Sequence, residues 1–269
     1  MVKVAAIQPR PVGDELRHPK NVQHAIELLK RYVRANEEVR IACFPEYFPW
    51  YGEAELAKEA RELGIYIIAG IAEEQEGVLY NSCVLFGPDG SIVGRQRKLN
   101  LGLMERRDFG FSPGRELRVF DTDIGRIGIG VCVDFWGPPN VGRELVEMGA
   151  EIIFNPSFFF IFREIWRCLL LARAVELMVP IVAVDTAQFP FRLGDKVFKR
   201  CGGLSCIIGP PWRSEEEFLA WWREPRFNWV LGQLGLEEGV LIRDIDLDLA
   251  KRCRAIWRYR LLGEGETGE

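Results

Sequence analysis

Histidine is almost missing from this chain: His18 and His24 are the only two in 269 residues, and both fall in an early amphipathic helical stretch. That scarcity argues against a structural zinc site. It also removes the usual base of a cysteine or serine nucleophile. No two of the seven cysteines (43, 83, 132, 168, 201, 206 and 253) have C-x-x-C spacing, and an odd, scattered set makes a poor disulfide framework. The expected compartment is a reducing cytoplasm. A surplus of positive charge is lacking as well. The formal net charge of −4 gives no electrostatic reason to expect nucleic acid or an anionic membrane as partner. Lysine is scarce beside arginine, 8 against 27, which reads as compositional bias rather than a thermophile signal. No run of 18 apolar residues is present to span a bilayer. The opening M-V-K-V-A-A-I-Q-P-R meets Pro9 and Pro11 too early for a secretory signal peptide. No repeat or low-complexity linker divides the chain, so residues 1–260 read as a single domain and 261–269 as a flexible acidic tail.

What is present is a series of apolar, β-rich runs. They cover 2–8, 39–44, 65–71, 80–86, 126–133, 151–155, 180–185, 204–208 and 240–245. Several are apolar almost throughout, as strands covered on both faces are. Helical periods lie between some of them, over about 20–35, 53–63, 141–148, 163–178 and 247–258. G-P-D-G at 87–90 marks a turn between two strand-like runs. The pattern predicts α/β layers with a partly antiparallel sheet.

Cys132 ends the run G-I-G-V-C-V-D-F-W, residues 128–136. The ordinary role of a free cysteine is that of a small buried hydrophobe, and reactivity requires a special environment. With histidine excluded, a reactive Cys132 would need another base. Charged residues at strand ends are the candidates, because α/β layers place their ligand crevice there. V-R-I-A-C-F-P-E ends at Glu46 and S-I-V-G-R-Q-R-K at Lys98. A buried carboxylate serves as general base once desolvation raises its pKa. A neighbouring ammonium lowers a thiol pKa and stabilises an oxyanion. Taken singly, each residue is more commonly a solvated turn residue.

Together and in order, F-P-E at 44–46, R-K-L at 97–99 and G-V-C-V-D at 130–134 resemble the three signatures of the nitrilase superfamily of carbon–nitrogen hydrolases. The resemblance extends from K-V-A-A-I-Q (3–8) through Y-N-S (80–82), G-P-D-G-S-I-V-G-R-Q-R-K (87–98) and N-P-S (155–157) to G-L-S-C-I-I-G-P (203–210). It implies a four-layer α-β-β-α sandwich, commonly paired into a homodimer. It further implies Glu46 as base, Lys98 as electrostatic partner, Cys132 as nucleophile and Glu105 as a second glutamate that orients the site. Tyr47, Phe135, Trp136 and the Val133 backbone N–H are the expected substrate contacts. The substrate would be a small amide or N-carbamoyl compound, with no metal and no cofactor.

The chain departs from the family in places. Nitrile-cleaving members tend to carry Cys-Trp-Glu, whereas Cys132-Val133-Asp134 is closer to the amidase and carbamoylase branches. Those branches often place an arginine soon after the cysteine to bind a carboxylate. Here Phe135-Trp136-Gly137-Pro138-Pro139 follow, with no arginine before Arg143. Two readings compete: a catalytically silent relative serving as a scaffold, and an isochorismatase-like cysteine hydrolase. The latter predicts an aspartate after the first strand, where Gln8 and Pro9 stand. Finally, residues 212–236 carry Trp212, Phe218, Trp221, Trp222, Phe227 and Trp229. Ser214 followed by three glutamates reads as a helix start, ended by Pro225. Its aromatic stripe is expected at a subunit interface.

Overall fold

The computed structural model describes residues 1–137, 139–159, 163–210, 212, 214–223 and 229–262. In chain order the strands are β1 (Val2–Gln8), β2 (Val39–Cys43), β3 (Pro49–Trp50), β4 (Tyr66–Gln75), β5 (Val78–Phe86), β6 (Ile92–Arg97), β7 (Val119–Thr122) and β8 (Gly125–Ile129). They continue with β9 (Ile152–Pro156), β10 (Ile181–Val184), β11 (Phe189–Leu193), β12 (Lys196–Cys201), β13 (Cys206–Ile208), β14 (Val230–Gln233) and β15 (Gly239–Ile245). The α-helices are α1 (Asn21–Leu28), α2 (Glu53–Leu63), α3 (Leu103–Arg107), α4 (Val133–Trp136), α5 (Gly142–Glu147), α6 (Arg163–Leu177), α7 (Glu215–Arg223) and α8 (Leu247–Leu262). A π-helical turn, Leu29–Val33, extends α1, so the expected helix over 20–35 is present, with His18 ahead of it.

Two sheets form the middle of the molecule. The first has the order β15-β1-β2-β4-β5-β6, with β3 beside β4, and the second β14-β13-β10-β9-β8-β7. Parallel β1-β2-β4 and β8-β9-β10 pairings sit beside antiparallel hairpins, the mixed arrangement that the turn at 87–90 predicts. Between the sheets lies a core that includes Val4, Ala6, Ile41, Ile68 and Leu85 facing Ile127, Ile129, Phe154, Val182 and Ile207. Ala25, Leu28, Leu56 and Ala60 cover the outer face of the first sheet. Leu145, Trp166, Leu170 and Ala174 cover that of the second. The layers are therefore α-β-β-α, and the near-continuous apolar runs are strands buried on both faces. α2 shows how its span is set: Gly52 and Gly64 adopt left-handed backbone at its ends, and Glu53 and Glu55 sit in the first turn, where the helix dipole favours them.

Three expectations need correction. The run 126–133 is a strand only to Ile129, because the chain must then turn to present Cys132. A hairpin, β11–β12, stands apart from both sheets where no strand was expected. Of the aromatic segment expected at a subunit interface, Trp212, Phe218 and Trp229 pack into the chain's own core. Ser214 Oγ accepts the Glu217 N–H at 3.2 Å, so the helix starts as expected. Phe218 and Trp229 are wholly buried, and Trp212 packs edge-on against Phe218 at 4.6 Å and Trp229 at 5.3 Å. These rings seal the outer face of the second sheet beneath α7 and α8. Of the tail expected over 261–269, Leu261 and Leu262 close α8, and Pro225, Phe227 and residues 263–269 lie outside the described residues.

Candidate active site

The sandwich brings several strand ends to one place. Past β2 the chain reaches Glu46, and past β6 it reaches Lys98, both from the first sheet. Past β8 it reaches Cys132, past β9 Phe158, and past β10 Asp185, all from the second. The loop carrying Glu46 lies directly on β4. A Cβ at Gly70 would stand 2.4 Å from the Tyr47 nitrogen and 2.6 Å from the Pro45 oxygen, so only glycine permits that approach.

Lys98 Nζ lies 2.8 Å from Glu46 Oε1 and 2.8 Å from Glu105 Oε2, with all three side chains buried. Asn81, on β5, donates its Nδ2–H to both carboxylates, at 2.7 Å to Glu46 and 2.9 Å to Glu105. The Tyr47 hydroxyl donates to Glu105 Oε1 at 2.6 Å, and the Gly102 N–H to Glu105 Oε2 at 2.8 Å. The remaining oxygen of Glu46, Oε2, accepts the Phe158 N–H at 2.9 Å. One buried cation thus lies between two carboxylates whose other oxygens are held by fixed donors. That is the condition under which a buried ion pair is tolerable, since an unpaired charge there costs several kcal/mol.

Cys132 is buried and adopts φ 48°, ψ −118°, a left-handed backbone unusual for a residue with a side chain. The strain is imposed from β9. The Cys132 N–H donates to the Pro156 carbonyl at 2.8 Å, and Asn155 Nδ2 donates to the carbonyls of Gly130 (2.7 Å) and Cys132 (3.1 Å). Asn155 is itself fixed by Trp166 Nε1 at 3.2 Å and Ser157 Oγ at 3.0 Å. The sharp turn places the thiol immediately before α4, whose first amides, starting at Val133, have no carbonyl in their own helix to pair with. Asp134 accepts the N–H groups of Leu99 and Asn100 at 2.8 and 2.7 Å, tying the segment after Lys98 to the segment after Cys132.

The backbone of one residue, Phe158, links thiol and base through two successive peptide units. Phe158 donates its N–H to Glu46, and its carbonyl lies 3.9 Å from Cys132 Sγ. Burial pushes the Cys132 thiol well up, with Glu46 adding to the effect and Lys98 opposing it. Burial also raises Glu46 despite the pull of Lys98. Burial alone would lower Lys98, but Glu46, Cys132 and Glu105 outweigh it and hold the ammonium well above its usual range. Glu105 is lowered: burial opposes ionisation, and Lys98, Tyr47 and the Gly102 amide overcome it. The resting arrangement is therefore a thiol pushed toward its neutral form, set beside the Glu46 carboxyl and an ammonium locked between two glutamates.

The structure brings Glu46, Lys98, Glu105, Tyr47 and Cys132 together. It turns Phe135 away, into the outer core, where Gly130 and Gly142 make room for its ring; the expected substrate contact at Phe135 is corrected to packing. Tyr47 serves Glu105 through its hydroxyl and the aromatic wall through its ring. Trp136 is half-buried, edge-on to Phe159 at 5.0 Å. Beside the charged cluster the wall runs through Tyr47, Trp50, Phe109, Phe111, Phe158 and Phe191, with Arg17 stacked over Trp50 and Phe109 at 4.8 and 4.6 Å. Asn81 had a signal in Y-N-S, but its role as a bridge between carboxylates did not. No group of three or more His, Cys, Asp or Glu side chains suited to a metal occurs among the described residues.

Residues 3–255 match the carbon–nitrogen hydrolase family. The chain belongs to that family. Its curated relatives include the omega-amidase NIT2 of Xenopus tropicalis, 28% identical over 261 residues, covering 87% of this chain and 86% of the relative. The omega-amidase NIT2 of Homo sapiens is 28% identical over 253 residues, covering 84% and 83%. A carbon–nitrogen hydrolase from Helicobacter pylori G27 superposes with a TM-score of 0.80 at 21% identity, covering 97% of this chain and 94% of the other. An amidase from Nesterenkonia sp. AN1, 20% identical with a TM-score of 0.69 over 97% and 100% of the two chains, was solved with acrylamide joined to its active-site cysteine by Michael addition. This carbon–nitrogen hydrolase thus has the nitrilase-type fold; the two curated relatives above are named omega-amidases, and one from Pyrococcus abyssi, 34% identical over 178 residues (58% of this chain, 65% of the relative), is named a nitrilase.

Proposed function

We propose that Cys132, Glu46 and Lys98 hydrolyse a small amide through a thioester, with Glu105 orienting the ammonium. The observation that carries this reading is the Phe158 backbone, whose N–H meets the base and whose carbonyl faces the thiol while Lys98 is locked between Glu46 and Glu105. Glu46 takes the thiol proton as sulfur attacks the carbonyl carbon. Lys98 and the Val133 amide face the developing oxyanion. The C–N bond then breaks, and ammonia leaves with the proton from Glu46. Water, deprotonated by Glu46, attacks the thioester, releases the carboxylic acid and returns the thiol. A thiol that rests protonated in a buried pocket needs such an adjacent base.

The aromatic wall and the absence of an arginine between Cys132 and Arg143 support an amide with an apolar or neutral group near the scissile bond. Amide cleavage accords with the omega-amidase names of the relatives. A reducing compartment and a two-fold dimer complete the proposal. The first accords with seven free cysteines, six of them buried; the second rests on the family resemblance alone. No helix among the described residues is long and apolar enough to cross a membrane.

Ammonia release measured over aliphatic amides, aromatic amides, N-carbamoyl amino acids and nitriles tests the reading. Simple amides should lead. Turnover of carbamoyl amino acids or nitriles far above that of every amide would overturn it. The acid limb of kcat/KM should fall above the ordinary glutamate range, because burial raises Glu46 and protonating it removes the base. A limb at or below the model-peptide value would contradict that role for Glu46.

A further inference from the structure

Asp185 is a buried carboxylate that the reaction leaves unused. It follows β10 in the sequence V-D-T, is wholly inaccessible to solvent, and has no cation among its described partners. Its Oδ1 accepts the Thr186 N–H at 2.7 Å and, at 3.4 Å, the Thr186 hydroxyl; its Oδ2 accepts the Phe159 N–H at 3.1 Å. Its own backbone is latched separately. The Asp185 N–H donates to Ser205 Oγ at 2.9 Å, and Ser205 Oγ lies 3.1 Å from the Asp185 carbonyl.

Position, not charge, explains the placement. Two successive amides of the segment after β9 are each captured by a buried carboxylate: Phe158 N–H by Glu46 and Phe159 N–H by Asp185. The two carboxylates arise from different sheets, Glu46 past β2 and Asp185 past β10. The segment is also anchored beside Asp185 through Ser157 N–H to the Val184 carbonyl at 2.8 Å, and the Phe159 carbonyl accepts the Gly202 N–H at 2.9 Å. Among the described partners, the Asp185 carboxylate holds the N–H of the very peptide whose carbonyl, that of Phe158, faces the thiol, while the preceding peptide gives its N–H to the base. A buried amide held by a fixed acceptor cannot rotate without losing that bond and leaving an unpaired buried donor.

We infer that Asp185 is a positioning residue for hydrolysis: by holding the N–H of the Phe158–Phe159 peptide it fixes the Phe158 backbone where its carbonyl faces Cys132 and its N–H meets Glu46. The inference rests on the proposed roles of Glu46 and Cys132. It makes the second sheet hold the base that the first sheet supplies, so the two halves of the sandwich are in register at the reacting atoms.

The test is Asp185→Asn. The new amide keeps one acceptor oxygen for Thr186 and turns its NH2 toward the Phe159 N–H, donor against donor. The Phe158 peptide then loses its support, and Glu46 its third donor. Losing a hydrogen bond to the ionised form raises a carboxyl pKa. In folded D185N, kcat on the best amide should fall about 10- to 100-fold, as misplaced catalytic geometry costs. KM should stay within about twofold, and the acid limb of kcat/KM should move to higher pH. Asp185→Glu, which keeps a carboxylate but shifts its oxygens, should move both readouts in the same direction. Ser205→Ala removes the backbone latch and leaves the carboxylate; it should lower the melting temperature with the acid limb unmoved. Wild-type kcat and an unmoved limb in folded D185N would overturn the positioning role. So would failure of both D185N and D185E to fold, which would make Asp185 a requirement for folding only. Should wild-type protein show no amide hydrolysis at all, the proposed function fails first and separately.

Discussion

Replacing Cys132 with alanine should reduce amide hydrolysis by on the order of 10⁴-fold or more, because losing a covalent nucleophile costs nearly as much as losing the whole catalytic set. The fold should survive. The thiol is a small group at the end of a strand, and removing it from the inter-sheet core costs about 1 kcal/mol of apolar burial. The strained φ of 48° is held by the β9 contacts of the Cys132 N–H and carbonyl, which alanine keeps. Ammonia release and a thermal melt on the same preparation separate the two quantities. More than a tenth of wild-type activity in C132A would remove Cys132 from the chemistry. A collapsed melting temperature would make it a core residue whose loss is simply felt everywhere.

The second large effect concerns the buried charges. Lys98→Met leaves Glu46 and Glu105 facing each other across Asn81 with no cation between them. Breaking a buried ion pair by removing one partner costs about 3–5 kcal/mol. K98M should therefore lose both activity, by on the order of 10³-fold or more, and a measurable share of its stability. Glu46→Gln should match the activity loss with a smaller stability cost, since Lys98 keeps Glu105 as partner. The two act as one unit, so the double variant should be little less active than the worse single one. A double variant whose loss equals the product of the two single losses would show independent contributions and break the triad apart.

The framework of the fold could be read from the chain because both sheets are buried on both faces. Runs such as R-I-G-I-G-V-C-V and P-I-V-A-V-D have no polar alternation to hide them, and the charged residue closing a run marks the strand end. That logic reached Glu46 and Lys98, and motif order then joined them to Cys132 and Glu105. It did not single out Asn81, a polar residue inside β5, and it marked Asp185 only as the residue closing P-I-V-A-V-D; three-dimensional pairing is what shows that one bridges two glutamates and the other holds a loop. The Phe158 peptide acts through backbone atoms, which any residue would carry. The β11–β12 hairpin did have a signal. Gly194 and Asp195 form a two-residue turn between Leu193 and Lys196, a composition that favours tight hairpins. The inward packing of Trp212, Phe218 and Trp229 could not be read from composition, for a physical reason. A stripe of large rings has the same composition whether it meets a partner or its own sheet, and only Trp212 and Trp229, arriving from either side of α7, close it inward.

The most direct test of the thioester mechanism is mass spectrometry of the protein quenched in acid during turnover of a slow amide. The wild-type protein should carry one acyl group, its mass that of the substrate acid less water, on the peptide containing Cys132. The group should vanish as substrate is exhausted and be missing in C132A. Continued ammonia release from wild-type protein whose Cys132 peptide stays unmodified, or an acyl group on a different residue, would contradict the account.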